Sequence, residues 1–136
     1  MIGTFEVSSS AAVAQRTRLD VIAGNIANAQ ATRQADGTVE PYRRRFVTFM
    51  TGDGQGGPGV HVEEVREDPS KFRLEYAPEH PDRLLSGPNK DYVQLPNVNI
   101  TMEYVDAMAA GRAYEANVAM MNLTRTMVQQ ALRLFA

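Results

Sequence analysis

The chain has 136 residues, 43% of them apolar and 22% charged, with 14 basic against 16 acidic side chains and a formal net charge of −2. That length suits one domain, or a small domain with appendages, with a modest core. No run approaches the ~18 apolar residues of a membrane-crossing helix, the near-neutral balance argues against a dedicated polyanion binder, and the lack of cysteine excludes a disulfide framework, a thiolate nucleophile and a cysteine zinc site.

Met1 to Ser10 has neither a basic stretch nor a continuous apolar run, because Glu6 and Ser8 to Ser10 interrupt it. No cleaved secretory signal is expected, and cytoplasmic residence is the default. From Phe5 to Ala29 apolar residues recur at helical spacing: Phe5, Ala12, Leu19 and Ile26 are seven apart, and Ser8, Gln15, Ile22 and Ala29 form the interleaved row. This is a heptad seam with two polar positions. Asp36-Gly37 signals a turn, Tyr42 to Met50 is β-prone, and the glycines of Gly52 to Gly59 make a flexible connection. Val60 to Val65 and Phe72 to Tyr76 read as short strands; Phe72, Leu74 and Tyr76 alternate with Lys71, Arg73 and Glu75, a half-buried pattern with the apolar side inward. Pro78 to Pro96 is expected to be extended or irregular.

Asn99 is placed to cap a final helix that no proline interrupts. Met102, Ala109, Ala116, Leu123 and Gln130 fall on one row and Ala113, Met120, Met127 and Leu134 on the next, making this the face predicted to pair with the first helix. Helices on the order of 37 and 55 Å are long for a chain whose compact radius of gyration would be about 14 Å. Alanine and proline divide the chain the same way: 14 of 17 alanines lie in 5–29 and 99–136, and all seven prolines lie between Pro41 and Pro96. The residues thus predict an α+β chain, with long N- and C-terminal helices pairing as a coiled coil over 1–30 and 98–136 and a small β-rich middle over 31–97. Two helices alone leave much of their apolar surface wet, so assembly is expected to complete the fold.

No catalytic, metal or cofactor site is expected. Arg43 to Arg45 beside Tyr42 and Phe46 resemble a nucleic-acid patch but read better as a solvated or ion-pairing surface. His61 near Glu63, Glu64, Glu67 and Asp68 reads as a solvated strand and turn rather than a metal site. His80-Pro81-Asp82 spells a co-chaperone tripeptide outside the helical hairpin it needs, so a turn is the better account. Neither Asn99-Ile100-Thr101 nor Asn122-Leu123-Thr124 is read as glycosylated, since both fall on or at the start of a helix.

Two end signatures stand out. Ala14-Gln15-Arg16, Leu19 to Ala23 and Asn25-Ile26-Ala27-Asn28-Ala29 resemble the N-terminal signature of flagellar rod and hook proteins. Leu95 to Asn99, Glu103, Val105-Asp106 and Arg112 to Val118 resemble their C-terminal signature. With the middle residues Glu67-Asp68-Pro69, Tyr76, His80 to Asp82 and Tyr92-Val93, the whole chain is similar to the short, proximal members of the flagellar basal-body rod family. Gly24 stands where that pattern carries asparagine, and Asp91 where it carries glycine.

The resemblance implies a structural, non-enzymatic rod subunit that transmits torque from motor to hook. It implies export through the flagellar type III apparatus without a cleaved signal peptide, and assembly in the periplasm with copies of itself, other rod proteins and a rod-base adaptor. It implies neither nucleic-acid binding nor membrane insertion. Leu19, Ile22, Asn25, Ile26 and Asn28 on the first helix are the expected assembly interface, with Ala109, Arg112, Ala113, Tyr114, Ala116 and Asn117 on the second. Met120, Leu123, Met127 and Leu134 continue it. The alternative is a soluble helical adaptor or export chaperone, against which the proline-rich, strand-prone middle argues.

Overall fold

The computed structural model describes residues 2–135. The chain ends are α1 (Ile2–Ala27) and α2 (Ile100–Leu134), separated by β1 (Arg45–Thr51), β2 (Val60–Glu67), β3 (Arg73–Tyr76) and β4 (Tyr92–Leu95). The fold is α+β, two long helices packed together with small antiparallel ribbons between them in sequence. At 26 and 35 residues, the helices span about 39 and 52 Å. Arg18 lies 3.9 Å from Asp106, and Asn25 donates to Glu103 at 3.0 Å. Residues late in α1 therefore meet residues early in α2, and the helices run antiparallel.

Asn99 caps α2 as its side chain predicts, accepting from the Met102 N–H at 3.3 Å. The first turn carries Glu103 and the last Arg133, each opposite in sign to the nearby end of the helix dipole. α1 ends where Asn28 and Ala29 turn back on Gly24 and Ile26, and its Ser10 and Thr17 hydroxyls donate to carbonyls one turn earlier.

The middle forms two separate two-stranded ribbons rather than one sheet, β1 with β2 and β3 with β4. In the first, the register shifts between Thr48 and Phe49, so that Glu63 is skipped. Its glycine-rich loop returns against α1. Gly59, at φ +128°, leaves no space for a side chain, because a Cβ there would stand 2.6 Å from the Ser10 hydroxyl, which accepts from the Val60 N–H.

The second ribbon fits one expectation, an extended segment, and corrects another. Tyr92–Leu95 is a regular strand inside the proline-rich stretch, with Pro88 and Pro96 outside its ends. β3 does not show the half-buried pattern its alternation predicts, because all four of its residues are exposed. Leu74, Tyr76 and Tyr92 are exposed, and the buried residues are Val93 and Leu95, paired across the ribbon with Glu75 and Arg73. The Arg73 guanidinium donates to the Pro96 and Ala29 carbonyls and so satisfies backbone groups at the end of the ribbon. Buried apolar residues lie along the helix pair (Ala12, Ala14, Ile22 and Ala110), at Ala29 and Val98 beside its ends, and on β4 (Val93 and Leu95). The end where late α1 meets early α2 is called the crossover end.

Candidate assembly interface

The crossover end is held by polar groups from three segments. Asn25 is fully buried at the end of α1, and Glu103, 1% exposed, faces it from α2. The Asn25 carboxamide donates to Glu103 Oε2 and to the Arg45 carbonyl, and accepts from the Arg45 N–H and the Tyr42 hydroxyl, all at 2.7 to 3.0 Å. Arg44 Nε meets Glu103 Oε1 at 2.6 Å, and the same guanidinium lies 3.4 Å from Asp68 and 3.7 Å from Asp106. Burial opposes the charge on Arg44, but the Glu103 and Asp68 carboxylates outweigh it and leave its pKa raised. Burial pushes the half-buried Tyr42 hydroxyl up as well.

Arg43 donates to the Asp68 and Ser70 carbonyls and lies 4.3 Å from the Phe72 ring centroid. Arg45 lies 4.0 Å from Glu67. The arginine run is thus an internal clamp. Asp82 of the His80-Pro81-Asp82 turn is buried and accepts from Thr32 at 2.7 Å and Arg33 at 2.8 Å. Those bonds, Arg33 first, hold its carboxyl below the usual range. His61 Nδ1 lies 2.8 Å from the Gly52 carbonyl, and no group of three or more potential metal ligands occurs among the described residues.

The predicted interface residues separate into two sets. Ile22 and Asn25 are buried within the single chain; Leu19, Ile26 and Asn28 are half-buried. On α2, Ala113 and Asn117 are half-buried, and Asn117 bonds back to the Ala113 carbonyl of its own helix. Ala109, Arg112, Tyr114, Ala116, Met120, Leu123, Met127 and Leu134 are exposed.

The expected pairing of α1 with the row Met102, Ala109, Ala116 and Leu123 is therefore a correction. The covered row lies one residue on: Glu103 and Ala110 are buried, and Asn117, Thr124 and Ala131 are half-buried. That row is small and polar, which lets the helices approach closely but makes it less apolar than the row beside it. Hydrophobic periodicity also missed Tyr42, Arg44, Asp68 and Asn97, whose side chains join the crossover end.

The residues brought together from 78 positions apart, Asn25 and Glu103, belong to the two end signatures. Family models match both ends of the chain. Residues 5–33 match "Flagella basal body rod protein" and residues 90–134 match "Flagellar basal body rod FlgEFG protein C-terminal". The flagellar basal-body rod protein FlgC of Borreliella burgdorferi is 40% identical, over 97% of this chain and 95% of that protein. That of Bacillus subtilis is 41% identical, over 96% and 95%, and that of Salmonella typhimurium 36%, over 98% and 97%.

The chain belongs to the FlgC family of flagellar basal-body rod proteins. Its function is that of a structural rod subunit, and the helical adaptor reading is not favoured. FlgC membership also brings Asp91 into focus: its backbone sits at φ +66°, the left-handed region that glycine adopts most readily.

Proposed function

We propose that this chain is a non-enzymatic subunit of the proximal rod that packs into a helical tube through the outward face of α2. The observation that carries the reading is that face. Met102, Met120, Leu123 and Met127 are exposed, with Leu123 at 53%, while the other side of α2 is occupied by α1. Burying such side chains yields roughly 1.5–3 kcal/mol each, enough for a few of them to drive association. A face of this kind meeting a different face of the next copy gives an open helical assembly rather than a closed ring when the rotation does not close.

On this reading residues 1–30 and 98–136 are the assembly domain and 31–97 the outer domain, which meets neighbouring rod proteins and the rod-base adaptor. The reading extends to export by the flagellar type III apparatus without signal cleavage, residence in the periplasm-spanning basal body, and torque transmission to the hook, and membership of a rod family supports it. The test is sedimentation and negative-stain imaging of purified protein at rising concentration. The wild-type chain is expected to form polymers, and Leu123→Asp is expected to remain monomeric with an unchanged circular dichroism spectrum. Wild-type-like polymers from Leu123→Asp, or incorporation of that variant into functional rods, would overturn the assignment of this face.

A further inference from the structure

The outward face of α2 makes no use of the buried polar cluster at the crossover end, and that cluster has a property of its own. Apart from Glu103, every partner of the Asn25 side chain comes from Tyr42 or Arg45. Glu103 in turn takes its charge partner from Arg44 at 2.6 Å. Lifting residues 42–45 away would strand a fully buried carboxamide and a carboxylate that is 1% exposed, where unpaired polar groups are costly. Conversely, the Arg45 N–H and C=O are both engaged by Asn25, so the segment loses its own backbone partners when α1 moves.

We infer that residues 42–45 form a strap whose seating decides whether the two terminal helices are closed at their crossover end. The strap is tied outward as well as inward. Arg44 reaches Asp68 at the end of the β1–β2 ribbon, its backbone N–H donates to Asn97 at 2.8 Å, and Arg43 donates to the Asp68 and Ser70 carbonyls. Displacement of that ribbon by a neighbour is thereby transmitted to the helix pair. The middle region controls order in the helices, although the helices carry the assembly face.

The experiment is amide hydrogen exchange on the full-length monomer at low concentration. Arg44→Met leaves Glu103 buried without its cation. It is expected to lower protection about 100-fold or more in residues 20–27 and 103–110, the scale of a broken buried ion pair, while amides of β3 and β4 stay within about threefold. Tyr42→Phe removes one donor and is expected to give the same pattern at roughly two- to tenfold. Adding Glu103→Leu to Arg44→Met is expected to restore much of the protection, because the orphaned charge is gone.

A uniform loss that includes β3 and β4 would reduce the strap to general stabilisation and overturn the inference. Unchanged protection of the helix ends in Arg44→Met would show that the helices close without it. If Arg44→Met does not fold, Tyr42→Phe decides by the same localisation.

Discussion

Two carboxamides in α1 show how far a polar residue's effect depends on what surrounds it. Asn25 has all four of its hydrogen-bonding positions engaged, so its burial is compensated and its geometry fixes where strand β1 begins. Gln15, nearly three turns earlier, carries a buried Oε1 with no hydrogen-bond partner among the described residues. An unmet buried acceptor costs about 1–3 kcal/mol. Gln15→Leu is therefore expected to raise the urea midpoint of the monomer, by about 1–2 kcal/mol in unfolding free energy, without a change in slope. Asn25→Leu, similar in size, is expected to act in the opposite direction, because it leaves the Arg45 backbone and Glu103 short of partners. Destabilisation by Gln15→Leu would mean that the amide has a structural role its present contacts do not reveal.

At the level of elements, α1 and α2 were not equally legible. Along the predicted α1 rows Ala12, Leu19, Ile22 and Ile26 are buried or half-buried while Phe5 is exposed, so beyond its first turns the predicted side of that helix is the side its own chain covers. Ser10, Ala14 and Thr17 belong to a second contact, against the β1–β2 ribbon, which no periodicity announced. In α2 the most apolar side is left outside and the chain covers the neighbouring row, so a pattern count finds the helix and its cap but assigns the wrong face to the intramolecular seam. In β3 the alternation signals a buried apolar side, but Leu74 and Tyr76 are exposed and the ribbon buries Val93 and Leu95 of β4 instead. The difference between the helix faces makes a prediction about the monomer alone. Leu19→Asp places a carboxylate in the half-buried α1 seam and is expected to cost more than about 2 kcal/mol. Leu123→Asp is expected to stay within about 0.5 kcal/mol, as an exposed substitution does. Equal thermal shifts for the two variants in dilute solution would contradict this division of faces.

Across the whole molecule, two carboxylates tie segments of the middle to one another, Asp82 next to the end of α1 and Asp68 through the arginine that also reaches Glu103 on α2, and this sets the response to acid. Asp82 joins its turn to Thr32 and Arg33 just beyond α1, and Asp68 joins the end of β2 to Ser70 and Arg44. Hydrogen bonds from Arg33 and then Thr32 lower the Asp82 pKa; bonds from the Ser70 backbone and hydroxyl, followed by the Arg44 charge, lower that of Asp68. A carboxyl whose folded pKa lies below its unfolded value of about 3.9 stabilises the fold fully above that value, and the contribution is lost as pH falls through the folded pKa. Thermal stability is therefore expected to vary little from these groups between about pH 5 and 8 and to fall below about pH 4. Asp82→Asn tests the share carried by one fastening. It is expected to be less stable than wild type at pH 7 and to fall less steeply between about pH 4 and 2, since the proton that breaks the link has no carboxylate to enter. Identical acid slopes for wild type and variant in calorimetry would show that the Arg33–Asp82 link contributes nothing to holding the turn against the segment that follows α1.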